Sequence, residues 1–335
     1  MKIVRLLFAA MFVLPMASTN AQSPTYSIKS LMIGSTGGWD YLAVSPVKPW
    51  VYVSNGNKVN VIDKLTGDSV AVISNTPGIH GICFDVARQQ GFTSNGRANT
   101  VTVFNLNDNR TKWQISVGKN PDAIIYEPFL KKIITCNGGG KNLSIIDPSS
   151  RKTVDSVAVG GKPEEAASDG HGKIYVNLED KNQVAVVDLR TFKTINHWSL
   201  MGAEGPTGLA IDRKTHRLFV ACEKILVVMN ADNGKIIVKI PIGDGCDGVA
   251  FDESTRNIFT SNGEGTMSVI HEENAGTFKL IETVPTKRSA RTIALDPATH
   301  AVYMSAADLE PLAPGEKGWP KIKAGSFQVL LLNKK

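Results

Sequence analysis

Seven times along this chain a short apolar strand closes on an acidic or polar residue. The copies are "YLAVS" at Ser45, "GICFD" at Asp85, "AIIYE" at Glu127, "EAASD" at Asp169, "GLAID" at Asp212, "GVAFD" at Asp252 and "TIALD" at Asp296, at intervals of 40, 42, 42, 43, 40 and 44 residues. Self-similarity at a fixed period outranks length as a guide to domain count. After each anchor come a turn, a strand such as "VYVSN", "GFTSN" or "IITCN", a polar turn, and a strand such as "VNVID", "VTVFN" or "LSIID". Six copies add a fourth strand, as in "DSVAVIS" or "IVKIPIG". Four short strands per period, alternating apolar and polar and joined by Gly, Asn and Asp turns, predict an all-β, seven-bladed β-propeller of four-stranded antiparallel blades. The seventh copy stops after "SFQVLLLNKK", without its fourth strand, whereas "YSIKSLMIG" (26 to 34) precedes the first copy. The N-terminal strand is therefore expected to complete the last blade, and such closure removes an exposed sheet edge.

The first 21 residues read as a signal peptide: Lys2 and Arg5, an apolar run to about Met16, then Thr19-Asn20-Ala21, with cleavage near Ala21. The run is too short for a membrane anchor. Residues 22 to 335 are then one propeller domain, expected to be soluble and periplasmic or secreted. The formal net charge of +6 over 335 residues has no run of five or six like charges. Nucleic-acid or anionic-membrane binding is thus unforced, although a local patch is compatible with the composition. No coiled-coil segment asks for an oligomer, and a monomer is expected. Cys83, Cys136, Cys222 and Cys246 lack C-x-x-C spacing and are too few to staple a chain of this length. Cys222 ends a second strand and Cys246 precedes the next first strand, a placement that allows a disulfide between neighbouring blades; Cys83 and Cys136 are expected free and buried.

The repeated "YVSN…VNVID" resembles the YVTN repeat of secreted bacterial seven-bladed propellers, the YncE-like family. The likeness runs from about residue 36 to the end and includes "PGIHGI", "TSNGRANTVTVF", "KNPDAI", "PTGLAID" and "RTIALDP". It implies the fold and export; related propeller superfamilies include both binding proteins and metal-dependent lactonases.

With strands A to D running outward in each blade, the D-to-A and B-to-C connections share one face, around the mouth of the central channel. Residues from several blades converge there. Five positions before each anchor stand Asp40, His80, Asp122, Glu164, Thr207, Asp247 and Arg291, none of them apolar, and expected just ahead of strand A. Crowded carboxylates repel and raise one another's pKa unless a cation compensates. Arg291 compensates locally, and a divalent cation held by Asp40, Asp122, Glu164 or Asp247 would do the rest. Oxygen ligands favour Ca²⁺ or Mg²⁺, and inclusion of His80 admits Zn²⁺. At the exits of strand B stand Asn55, Asn95, Asn137 and Asn262, first of all turn residues. The charges that differ between equivalent loops, Arg97, Lys141, Glu179 and Glu264, together with Trp39 beside Asp40, extend the expected ligand site. The last B-to-C loop, 306 to 326, is about 20 residues long, and such a loop is expected to serve as a flap with Trp319 near the mouth.

No H-E-x-x-H, G-x-S-x-G, P-loop or C-x-x-C-H is present, which leaves protease, hydrolase-elbow, NTPase and cytochrome readings without support. Two readings remain. One is a recognition or scaffold propeller that binds a small molecule, peptide, glycan or metal ion at the upper mouth. The other is a hydrolase or lactonase in which a carboxylate-held cation polarises a carbonyl and His80 acts as base.

Overall fold

A computed structural model describes residues 25–35, 38–312, 318 and 320–335; the signal segment and Trp319 lie outside the described residues. The strands form seven sheets of four, each in sequential order except the last. Blade one has strand A at Leu42–Val44, B at Trp50–Asn55, C at Lys58–Asp63 and D at Ser69–Ile73. In the last sheet strand A is Thr292–Asp296, B is Ala301–Ala306, C is Gln328–Lys334, and D is the N-terminal strand Tyr26–Met32. That strand pairs antiparallel with Gln328–Lys334 over its whole length, from Tyr26 opposite Lys334 to Met32 opposite Gln328. The expected closure is present.

The core is divided among the seams between blades. Among the described residues seven apolar clusters occur, each shared by two neighbouring blades; Ile134, Leu143 and Ile145 of blade three, for example, meet Ile174, Val176 and Ala185 of blade four. Strands B and C supply most of these buried residues, whereas the D strands alternate exposed and covered positions. Each fully buried Val, Leu or Ile stabilises its seam by roughly 1.5–3 kcal/mol. The seam between blades seven and one also takes Trp39, which is 9% exposed and stacks on Phe327 with ring centroids 5.3 Å apart.

Around the channel, strand A of each blade lies against strand A of the next. Close approach demands small residues there. A Cβ on Gly208 would stand 2.6 Å from the backbone nitrogen of Val249, so the seam between blades five and six tolerates only glycine at that point. Side-chain hydrogen bonds then tie blade to blade: the Ser94 hydroxyl donates to the Asp122 carbonyl, Asn177 to the Gly208 carbonyl at 2.9 Å, Thr207 to that of Cys246 at 2.9 Å, Ser261 to that of Arg291, and Thr292 to that of Asp40 at 2.8 Å.

All four cysteines are buried free thiols. The bridge that the sequence allows between Cys222 and Cys246 is not made: the Cys222 thiol turns to the Val220 carbonyl and that of Cys246 to Gly248. Burial pushes both thiols up to about 12.

Candidate functional site

The polar column expected ahead of strand A lies, in four blades, inside it. His80, Asp122, Glu164 and Asp247 belong to the strands Ile79–Asp85, Pro121–Glu127, Pro163–Ser168 and Cys246–Asp252. Each sits where the pairing with strand B slips register, between Ile79 and Ile82, Pro121 and Ile124, Pro163 and Ala166, and Cys246 and Gly248. A bulge frees a residue from the ladder and re-aims its side chain. In blade two the hydroxyl of Ser94 holds the bulge open: it accepts the Gly81 N–H at 2.8 Å while donating to the Asp122 carbonyl of blade three.

Three members of the column meet. His80 Nδ1 lies 2.6 Å from Asp40 Oδ2 and 3.6 Å from Asp122 Oδ1, and one ligand atom from each of the three residues falls within 4.8 Å of the others. Burial disfavours the charged imidazole, but the hydrogen bond to Asp40 and the charges of Asp122, Asp40 and Glu164 outweigh it and raise the His80 pKa. Asp122 is 7% exposed, and its Oδ1 is buried with no hydrogen-bond partner. Burial and the charge of Asp40 raise its carboxyl against the opposing pull of His80 and Lys162. Asp40 is fixed by its own N–H, which donates to Ser54 Oγ at 2.8 Å, and by its carbonyl, which accepts from Thr292.

The other expected residues are otherwise engaged. Asp247 is taken by the guanidinium of Arg291 and so does not join the acidic cluster as a metal ligand. Glu164 faces Lys162 at 3.3 Å, and Lys162 also pairs with Glu179; burial and the charge of Asp122 still raise the Glu164 carboxyl. Arg97 donates to Asn57 Oδ1 at 2.6 Å on the exposed rim. Asn95 is fully buried and spends its amide within blade two, accepting from Thr93 at 3.0 Å and donating to Thr100 at 3.1 Å and Thr102 at 2.8 Å, so it builds the turn instead of facing the mouth. Trp39 belongs to the seam described above. At the flap, Leu309 and Ile322 form a β-bridge and Glu310 N–H donates to the Lys321 carbonyl at 2.7 Å, so the loop's base is a short hairpin.

Two residues of the channel escape the five-position rule and occupy the next column. There blades two, three, five, six and seven carry Gly81, Ala123, Gly208, Gly248 and Thr292, whereas blades one and four carry Tyr41 and Glu165. Tyr41 leaves blade one and packs on the apolar cluster of blades three and four, so its ring reaches across the channel. Burial and the charges of Asp122, Glu165, Glu164 and Asp40 raise its pKa well above the ordinary value. Glu165 accepts the Leu209 N–H at 2.8 Å, and burial raises its carboxyl to about 8. Two bulky residues in a column of small ones are the signal that marks them in the sequence.

A cavity of about 670 Å³ opens between blades six and seven, lined by Asp244, Gly245, Cys246, Asp247, Gly263, Glu264, Arg288 and Arg291. The mouth thus combines an acidic throat with a side groove carrying both signs of charge.

Among solved structures the chain is similar to hydrazine synthase of Kuenenia stuttgartiensis, with 14% identity, 81% of this chain and 93% of that chain covered, and a TM-score of 0.71. It is also similar to the WD40 repeats of RRP9, with 8% identity, 92% and 97% covered, and a TM-score of 0.78. At such identities the likeness is one of fold, and it supports the seven-bladed propeller. No protein-family profile and no curated protein matches the chain. Among the described residues no helix is long and apolar enough to cross a membrane.

Proposed function

We propose that the chain is an exported recognition propeller of the YVTN-repeat type, whose upper mouth takes a positively charged ligand group: a metal ion, or the cationic end of a small molecule or peptide. One observation carries this reading. A buried carboxylate oxygen, Asp122 Oδ1, has no hydrogen-bond partner among the described residues, in a throat where the charges of Asp40, Asp122, Glu164 and Glu165 act on one another and His80 and Lys162 oppose them. Burying such an excess of acid costs stability unless a cation completes it. The side groove beside Asp247 and Arg291 offers room for the uncharged remainder of a small ligand.

Thermal denaturation against divalent cations, diamines, basic tripeptides and neutral oligosaccharides tests the reading. The wild type should be stabilised by a cationic compound, and Asp122→Asn with Glu164→Gln should lose most of that gain. Stabilisation by neutral oligosaccharides alone, or an unchanged response in the double variant, would overturn it.

A further inference from the structure

Resting on that reading, we propose that Asp40, His80 and Asp122 form a mononuclear centre for a divalent first-row transition metal, with Zn²⁺ the best-matched ion. The three residues come from three consecutive blades and offer two carboxylate oxygens and one imidazole nitrogen. Ligand atoms from all three fall within 4.8 Å of one another. Imidazole selects against Ca²⁺ and Mg²⁺, which take oxygen donors, and two carboxylates select against Cu(I). Three protein ligands leave a fourth position for water or an incoming ligand, the pattern of open zinc sites.

The spacing supports this assignment independently of the acidity. Donors about 2.0–2.1 Å from a tetrahedral ion stand roughly 3.3–3.4 Å apart. The Asp122 Oδ1 to His80 Nδ1 separation of 3.6 Å is close to that value and too long for a hydrogen bond. Asp122 Oδ1 is also the buried oxygen without a partner. On the other side, the 2.6 Å contact between His80 Nδ1 and Asp40 Oδ2 is bridged by a proton. An ion that replaces that proton need open the pair only by several tenths of an ångström.

The scaffold around the three ligands restrains them as outer partners do at metal centres. Ser54 holds Asp40 by its N–H, Thr292 by its carbonyl, and Ser94 holds the carbonyl of Asp122. The imidazole lies where position 96 must lack a side chain: a Cβ on Gly96 would stand 2.7 Å from His80 Nε2. Of the neighbouring carboxylates, Asp247 is paired with Arg291 and Glu164 stands 3.3 Å from Lys162, and neither shares the short spacing that groups Asp40, His80 and Asp122.

The test uses the full protein stripped with a chelator and titrated with Co²⁺, then with Zn²⁺ in competition. One ion per chain, with visible absorption bands of a low-symmetry cobalt site, is expected. Affinity should fall at least tenfold in Asp122→Asn and in His80→Ala, and fall in Gly96→Ala through the displaced ring. Perturbation of the His80 ring resonances by Zn²⁺ in the wild type supplies a readout that needs no variant to fold. Absence of cobalt bands in natively folded protein, unmoved His80 resonances, or binding that survives Asp122→Asn and His80→Ala would each overturn the metal centre. If amines or peptides stabilise the wild type and not the double variant while Co²⁺ and Zn²⁺ do nothing, the recognition reading stands and the metal centre alone falls.

Discussion

Asn137 is fully buried, accepts a hydrogen bond from Thr135 at 2.9 Å, and donates to Asn142 at 3.0 Å and Ser144 at 2.9 Å. The same clamp recurs at Asn95 and Asn262, the latter through Thr260, Thr266 and Ser268. One amide therefore fastens the end of strand B to the start of strand C in blades two, three and six, whereas Asn55 of blade one turns its amide to Ser35 Oγ. Asn137→Ala leaves buried hydroxyls without their partner and should cost about 1–3 kcal/mol in urea unfolding, with ligand binding at the mouth retained. His80, Asp122 and Glu164 occupy equivalent positions yet make different contacts, so the residues that repeat hold the blade and those that vary along the same column set the chemistry.

At the scale of strands, two features lie beyond the hairpin pattern. The bulges that open strand A in blades two, three, four and six turn a loop-edge column into side chains aimed at the channel. On the opposite face, the Thr215 hydroxyl lies 2.7 Å from Asp212 Oδ2 and 2.9 Å from Glu272 Oε1. A hydroxyl has one proton to donate, so it serves both acids only if one of them is protonated. Glu272 is fully buried. Burial first, and then the neighbouring Asp212, raise its carboxyl to about 7 from an ordinary 4.5. The folded protein thus binds this proton more tightly than the unfolded chain does. Its contribution to stability is complete below about 4.5 and is lost as the pH rises through about 7. Glu272→Gln, which mimics the protonated acid, should remove that part of the pH dependence and stabilise the protein at pH 8 by roughly 1–2 kcal/mol. Unfolding midpoints of the two proteins at pH 5 and pH 8 check this, with the difference expected only at the higher pH.

At the scale of the whole molecule, stability is distributed over seven seams, and the ring is closed by seven residue pairs between Tyr26–Met32 and Gln328–Lys334. Removal of residues 25 to 32 opens the edge of the last blade and takes Tyr26 and Leu31 from two seams. The truncated chain should unfold about 6–12 °C earlier, from about 3 kcal/mol for two buried side chains and about 2–4 °C per kcal/mol in a large domain. It should also self-associate through the bared edge, as light scattering would register. A truncated chain with an unchanged midpoint and no association would show that closure is dispensable.

The number of blades, their strands and the partner of the last edge follow from the sequence itself. They rest on local signals: alternation with period two, turn residues at fixed offsets, and an interval near 42 residues. The column that supplies Asp40, His80, Asp122 and Glu164 was legible for the same reason, since equivalent positions recur at that interval. Pairing within the column was not. Ring closure and the bulges bring together residues 40 or more positions apart, and these decide that Asp247 goes to Arg291 and that His80 meets two carboxylates; within blade four, the fold also sets Lys162 between Glu164 and Glu179. Tyr41 shows the division most clearly: the sequence places it one residue after Asp40, but only the closed ring carries it across the channel to blades three and four. Electrostatic partnership depends on distances of a few ångströms, and those are set by how the blades seat against one another.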